Sequence, residues 1–345
     1  MNERVIWVYA KAIGIILVVY GHVARGLVAA EIKIDPVLYN LIDSVIYSFH
    51  MPLFFFLSGL FFIDSLKKRN AQDLLLNKID TILYPYILWS MLQGTLELVL
   101  SSYTNGHVNY KEVFSFLWAP RAQFWFLYAL FMIFVIAILI FQKTRTQNLI
   151  IPVFILSIFA YIFKIELTSV LNISYLTSNF VFFTFGIILG NSSMFISYTS
   201  NFQLILTFFI FIVFQYYFHI VLGLSYINTG LLSLLLALVS ILFIVSLSKI
   251  LSEKNIKYLR FIGNSSMAIY LMHIIAGSGI RIILLKFLKI KLFLFHFPIG
   301  LLLSIIIPLI VLALVNRYKI PFIFSMPLSR FIKSKLLNQP IFQKK

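Results

Sequence analysis

Lys11 and His22 interrupt the first apolar run of the chain, Val5 to Val23, and they are residue types that steady negative charge and move protons. Their separation of eleven residues is about three helical turns, so they share a face, offset by roughly 20° and roughly 16 Å apart along the axis. An imidazole can take a proton from a hydroxyl or act as a transient nucleophile, and an ammonium can hold a carbonyl oxygen or a phosphate. An ionisable side chain at the centre of a spanning helix costs about 2.5–3.5 kcal/mol on insertion scales, so each one calls for a reason. For Lys11 the competing reason is snorkelling, because it lies about seven residues from the inner edge. For His22, near the outer end, it is an ordinary structural hydrogen bond. What favours chemistry is company: Lys11, Gly14, Val18, Gly21, His22 and Arg25 form one strip, with small residues that admit a neighbouring helix or a substrate.

Other spans repeat the pattern. His50, in Phe49-His50-Met51-Pro52-Leu53-Phe54-Phe55-Phe56-Leu57-Ser58-Gly59, has the depth of His22 and could face a common cavity with it. Two imidazoles without a third ligand do not make a metal site, and none is expected. Pro52 suits a first helical turn, and Phe54 to Phe56 read as lipid-facing bulk. Tyr84-Pro85-Tyr86 predicts a kink, and Glu97 is an acid in apolar sequence that could pair with a histidine or Arg25, or snorkel. Arg121 stands one turn before Trp125, a guanidinium suited to an anionic or carbonyl oxygen, although Trp125 and Tyr128 also fit the aromatic belt. Tyr270, Gly277 and Arg281 share a face, with His273 beside it. A hydrogen-bonded core histidine and a substrate contact are equally open for His273. His107, His219 and His296 lie in loops or at span ends and are assigned no role.

The elements that must position these residues are membrane helices. Of 345 residues, 61% are hydrophobic and 11% charged, far from the soluble norm of about a quarter charged. Ten apolar runs, at about 5–24, 45–63, 80–101, 124–141, 148–164, 175–190, 202–220, 229–248, 262–283 and 292–315, are each near the length that crosses about 30 Å of hydrocarbon. The expectation is an all-α, polytopic helix bundle of about ten transmembrane helices. Residues 1–327 form one membrane-embedded domain and 328–345 a basic cytoplasmic tail. With the N-terminus inside, 18 Lys and Arg fall on the cytoplasmic side and nine outside, which places both termini in the cytoplasm. The net charge of +17 is then mostly topological, and nucleic acid is not an expected partner. The stretches from Arg25 to Ser44 and from Ser102 to Gln123 read as long outer loops. No GxxxG motif stands out, and the absence of cysteine excludes thiolate chemistry and disulfides.

Taken together, Lys11 and His22, the Phe49 to Gly59 run, Tyr84-Pro85-Tyr86, Trp125-Phe126-Leu127 and Ser265-Ser266-Met267-Ala268-Ile269-Tyr270-Leu271-Met272-His273 occur in the order seen in the acyltransferase 3 family. The chain resembles that family along essentially its whole length, and most closely the branch of fucose 4-O-acetylases and other polysaccharide O-acetyltransferases. The resemblance implies a multi-pass enzyme of the cell membrane, a bacterial cytoplasmic membrane, with no bound cofactor. It implies acetyl-CoA, or another acyl-CoA, as a donor on the cytoplasmic side and a hydroxyl of a surface polysaccharide or lipid-linked oligosaccharide as acceptor. In that reading His22 is a general base or an acyl relay and Lys11 attracts the thioester carbonyl or a CoA phosphate. Lysine replaces the arginine usual there, keeping the charge without the planar fork. His50, Arg121, Trp125 and Glu97 stand near the acceptor, while Tyr270, His273 and Arg281 wall the path. The Lys67-Lys68-Arg69 and Lys254 to Arg260 clusters recruit the nucleotide or serve only as topology signals. The rivals are an exporter or flippase of lipid-linked sugars, and an acyl-sensing or assembly protein.

Overall fold

A computed structural model describes residues 4–103, 109–142, 147–163, 173–191 and 201–329. His107, Lys143, Arg145, Lys164 and the tail from residue 330 lie outside them. Among the described residues every regular element is helical. In chain order these are α1 (Arg4–Val28), α2 (Pro36–Tyr47), α3 (His50–Leu60), α4 (Phe62–Lys68), α5 (Ala71–Lys78), α6 (Tyr84–Val99), α7 (Tyr110–Phe114), α8 (Trp125–Phe141), α9 (Gln147–Ile162), α10 (Ser174–Gly190), α11 (Asn201–Tyr216), α12 (Leu231–Glu253), α13 (Lys257–Asn264), α14 (Ser266–Ile282) and α15 (Phe293–Arg317).

Seven helical stretches among the described residues are long and apolar enough to cross a membrane. They start at Arg4, Pro36, Tyr110, Asn201, Leu231, Ser266 and Phe293. The other three expected spans also fall on helix, but α9 and α10 are shorter and the stretch through α5 and α6 is broken by a π-helical turn at Ile79–Leu83. That turn directly precedes Pro85, which stands in the first turn of α6.

The first expected outer loop is shorter than its polar composition suggested. α1 continues to Val28, and Asp35 then caps α2 by accepting from the Leu38 N–H at 2.9 Å, with Pro36 in the first turn. Arg25 to Ser44 is therefore mostly helix, because a side-chain cap and an N-terminal proline start a new one at once. The second loop carries the short α7, begun by a reciprocal Asn109–Glu112 capping box.

α1 runs through the middle of the bundle and packs on α3, α12, α13, α14 and α15. Its Tyr9, Ala10, Ala12, Ile15 and Val19 are wholly buried. By contrast α11 shows Phe202, Ile205 and Phe209 on its outer side, and α15 shows Leu294 and Leu302, an apolar exterior suited to lipid.

Two readings of the sequence are corrected by packing. Phe55 and Phe56 are not lipid-facing: both are fully buried, Phe55 against Phe126 with ring centroids 4.9 Å apart and Phe56 against Phe185 at 5.5 Å. Phe54 closes on Gly14 of α1. A GxxxG motif is also present, at Gly186 and Gly190 of α10, and it works within the chain. A Cβ on either would stand 2.1 Å from a backbone carbonyl oxygen of α3, that of Phe56 or Leu60. Gly59 of α3 meets the Phe183 carbonyl in the same way. Backbones approach this closely only where side chains are absent.

Candidate active site

A cavity of about 290 Å³ opens between the C-terminal end of α1, α14 and the start of α15. His22, Arg25 and Gly26 line it from α1, His273, Gly277 and Arg281 from α14, and His296 and Gly300 from α15. The three walls can stand this near because glycines face the neighbouring helices: a Cβ on Gly277 would meet the Ser304 hydroxyl at 2.6 Å, and one on Gly26 would meet the Arg281 guanidinium at 3.0 Å.

The His22 and His273 rings lie 5.1 Å apart and tilted. His273 is fully buried, and its Nδ1 lies 2.8 Å from the Tyr270 carbonyl and 3.1 Å from that of Ile269. Carbonyls only accept, so Nδ1 carries the proton and Nε2 keeps its lone pair, which has no partner among the described residues. His296 has the opposite arrangement. Its Nε2 donates to the Ile290 carbonyl at 2.8 Å, leaving a buried Nδ1 without a partner among the described residues. His22 makes no hydrogen bond among the described residues and is only partly buried, so its ring is free for whatever enters the cavity.

Two arginines line the same cavity. Arg25 pairs bidentately with Asp43 of α2, Nε to Oδ1 at 2.9 Å and the terminal nitrogen to Oδ2 at 2.8 Å, and stacks its guanidinium 3.3 Å from the centre of the Tyr47 ring. Arg281 has no acidic partner among the described residues; it donates to the Gly26 carbonyl at 2.7 Å.

The other candidates stand elsewhere. His50 is buried in α3, donating from Nδ1 to the Ile46 carbonyl at 2.8 Å, and Tyr47 lies between it and Gly21 of α1. It does not line the His22 cavity, contrary to expectation, because the α2 helix fills that space. Glu97 pairs with Arg121 at 3.2 Å rather than with Arg25 or a histidine, beside the mutually bonded Gln93 and Gln123. Tyr270 is buried and donates to the Gln123 carbonyl. Trp125 rests on Tyr175 at 5.2 Å and on Phe55. Glu97, Arg121, Trp125 and Tyr270 thus brace α6, α8 and α14 against one another and are not among the residues lining the cavity.

Lys11 lines a second cavity, of about 420 Å³, at the other end of α1, with Arg4, Trp7, Asp64, Lys68 and Arg69. The two cavities share no lining residue. The single polar strip read along α1 is thus two sites separated by the buried Ile15, Val18 and Val19.

His296, Asp43 and Tyr47 were missed. His296 carried the same signal as His22, an ionisable residue at the outer end of an apolar run. Asp43 sits in the stretch read as an outer loop, and Tyr47 at the start of the second apolar run, where nothing in the sequence marks Arg25 as its neighbour. His219, also given no role, bonds the Leu224 carbonyl at 2.9 Å and is structural.

A family model described as an acyltransferase domain, that of the acyltransferase 3 family, matches residues 7–313, nearly the whole chain. Comparisons with curated proteins and with solved structures gave no significant match.

Proposed function

The chain belongs to the acyltransferase 3 family and is a membrane acyltransferase, and on that premise we propose that it transfers an acyl group, acetyl from cytoplasmic acetyl-CoA, to a hydroxyl of a surface or lipid-linked glycan. The observation that carries this reading is the pair of His22 and His273 rings 5.1 Å apart in a cavity at one end of α1. The cationic cavity around Lys11 at the other end supports it.

The donor phosphates rest among Lys11, Arg4, Lys68 and Arg69, where an anion gains most from several cations in a confined, partly dehydrated space. For the thioester to reach His22, the layer of Ile15, Val18 and Val19 between the two cavities must open to admit the extended pantetheine arm along α1. An acceptor hydroxyl then attacks the thioester carbonyl while His22 takes its proton; the new C–O bond forms, the C–S bond breaks, and the proton passes to the departing CoA sulfur. His273, with Nε2 open, accepts a hydrogen bond from the His22 ring and shares the charge it gains. Arg281 supplies donors toward the developing oxyanion. If His22 is acylated first, the same atoms serve two steps instead of one.

In cells carrying His22→Ala, the surface polysaccharide loses the acetyl mass increments seen with the native protein, while the variant is still found in the membrane. Mass spectrometry of the polysaccharide reads this, and an unchanged acetyl content contradicts the assignment.

A further inference from the structure

The cations on the acceptor side are concentrated in one corner. Of the nine Lys and Arg assigned to the outer side, six are Arg25, Lys33, Arg281, Lys286, Lys289 and Lys291. Topology does not explain them, because basic residues retained outside run against the bias that orients the chain.

They are also arranged. Beyond the His22 cavity lies a larger one of about 740 Å³, lined by Ala30 to Lys33, by Leu285 and Lys286, and by Lys291 to Leu294. It continues the same three walls: Ala30 follows Ala29 of the inner cavity, Leu285 lies one turn beyond Arg281, and Phe293 and Leu294 precede His296. Lys33, Lys286 and Lys291 outnumber Glu31, the one acid in that lining. The turn between α14 and α15, which carries Lys289 and Lys291, is fixed by the Ile290 N–H donating to the Leu284 carbonyl at 2.9 Å and by His296 donating to the Ile290 carbonyl. Inward of it waits Arg281, with donors left over and no acid to neutralise it among the described residues.

We infer that this vestibule takes an anionic glycan, one bearing carboxylates or phosphates along its chain, and delivers it to His22. The inference rests on the acyl-transfer reading for what happens inside, and on charge and continuity for the class of acceptor. A polyanion crossing the vestibule meets lysines first and Arg281 last, so attraction grows toward the cavity. A neutral glycan gains hydrogen bonds but no ion pair from the same groups and leaves Arg281 without a counter-charge.

The test uses the purified full chain in neutral detergent, with a fluorescent hyaluronan hexasaccharide as the anionic probe and chitohexaose as the neutral one. Hyaluronan is expected to bind at least about tenfold more tightly, with the advantage shrinking as salt rises. The exposed triple substitution Lys33→Gln, Lys286→Gln and Lys291→Gln removes most of it. Equal affinity for the two probes, or an unchanged preference in the triple variant, overturns the inference. So does a triple variant that loses binding to phosphatidylglycerol nanodiscs while holding hyaluronan as before, since the lysines then serve lipid. Acyl transfer to both probes is measured in parallel. Equal labelling of neutral and anionic glycans sinks the vestibule and leaves the transferase, whereas anionic preference in binding with no label on any glycan does the reverse.

Discussion

Lys11 and His22 share one helix face and serve different spaces, and that separation is what the residue scale contributes. The free His22 ring, the Nε2 of His273 and the unneutralised guanidinium of Arg281 meet in one cavity, while Lys11 stands with Arg4, Lys68 and Arg69 in another. If Lys11 holds a donor phosphate, Lys11→Ala raises the KM for acetyl-CoA about tenfold, the value of one charge-assisted contact of about 1.4 kcal/mol, and Lys11→Arg largely restores it. Initial rates in membranes against acetyl-CoA concentration check this; a fully active Lys11→Ala reduces the lysine to snorkelling. His22, His273 and Arg281 were legible in the sequence because an ionisable group in an apolar run has few reasons to be there. His296 offered the same clue and was set aside for lying at a span end, yet depth along one helix does not say which neighbour closes over it. Asp43 was not legible at all, since only the packing of α2 on α1 brings its carboxylate to Arg25.

At the scale of elements, glycines decide where helices may touch. The α3–α10 crossing depends on Gly59, Gly186 and Gly190, each facing a backbone carbonyl that no side chain can displace. Gly186→Ala is expected to cost about 1–3 kcal/mol by overpacking, seen as a lower melting temperature in detergent. Gly279→Ala, where a Cβ meets nothing within 4 Å, leaves that temperature unchanged or raises it, because alanine favours the helix. Equal melting of the two variants contradicts the close-packed crossing. The motif was in plain view in the sequence, but a short glycine pair does not announce whether its partner is another chain or the next helix. Phe54 to Phe56 misled for a related reason: apolar bulk suits lipid and core equally, and only the neighbours distinguish them.

For the whole molecule, hydropathy placed all ten expected segments on helix, seven of them long and apolar enough to cross a membrane. It did not foresee the π-helical turn in the third. The placement of basic residues adds the direction in which the machine is proposed to run, with Lys11 toward the cytoplasmic donor and His22 toward the outer acceptor. That vectorial transfer is the central claim, and sealed inside-out membrane vesicles with glycan trapped in the lumen test it directly. Radiolabelled acetyl-CoA is added only to the exposed cytoplasmic face, and label on the luminal glycan is followed over time. Native protein is predicted to label the trapped glycan, and His22→Ala, inserted to the same level, to leave it unlabelled. Equal labelling by the variant, or labelling only when acetyl-CoA is admitted to the lumen, contradicts the account.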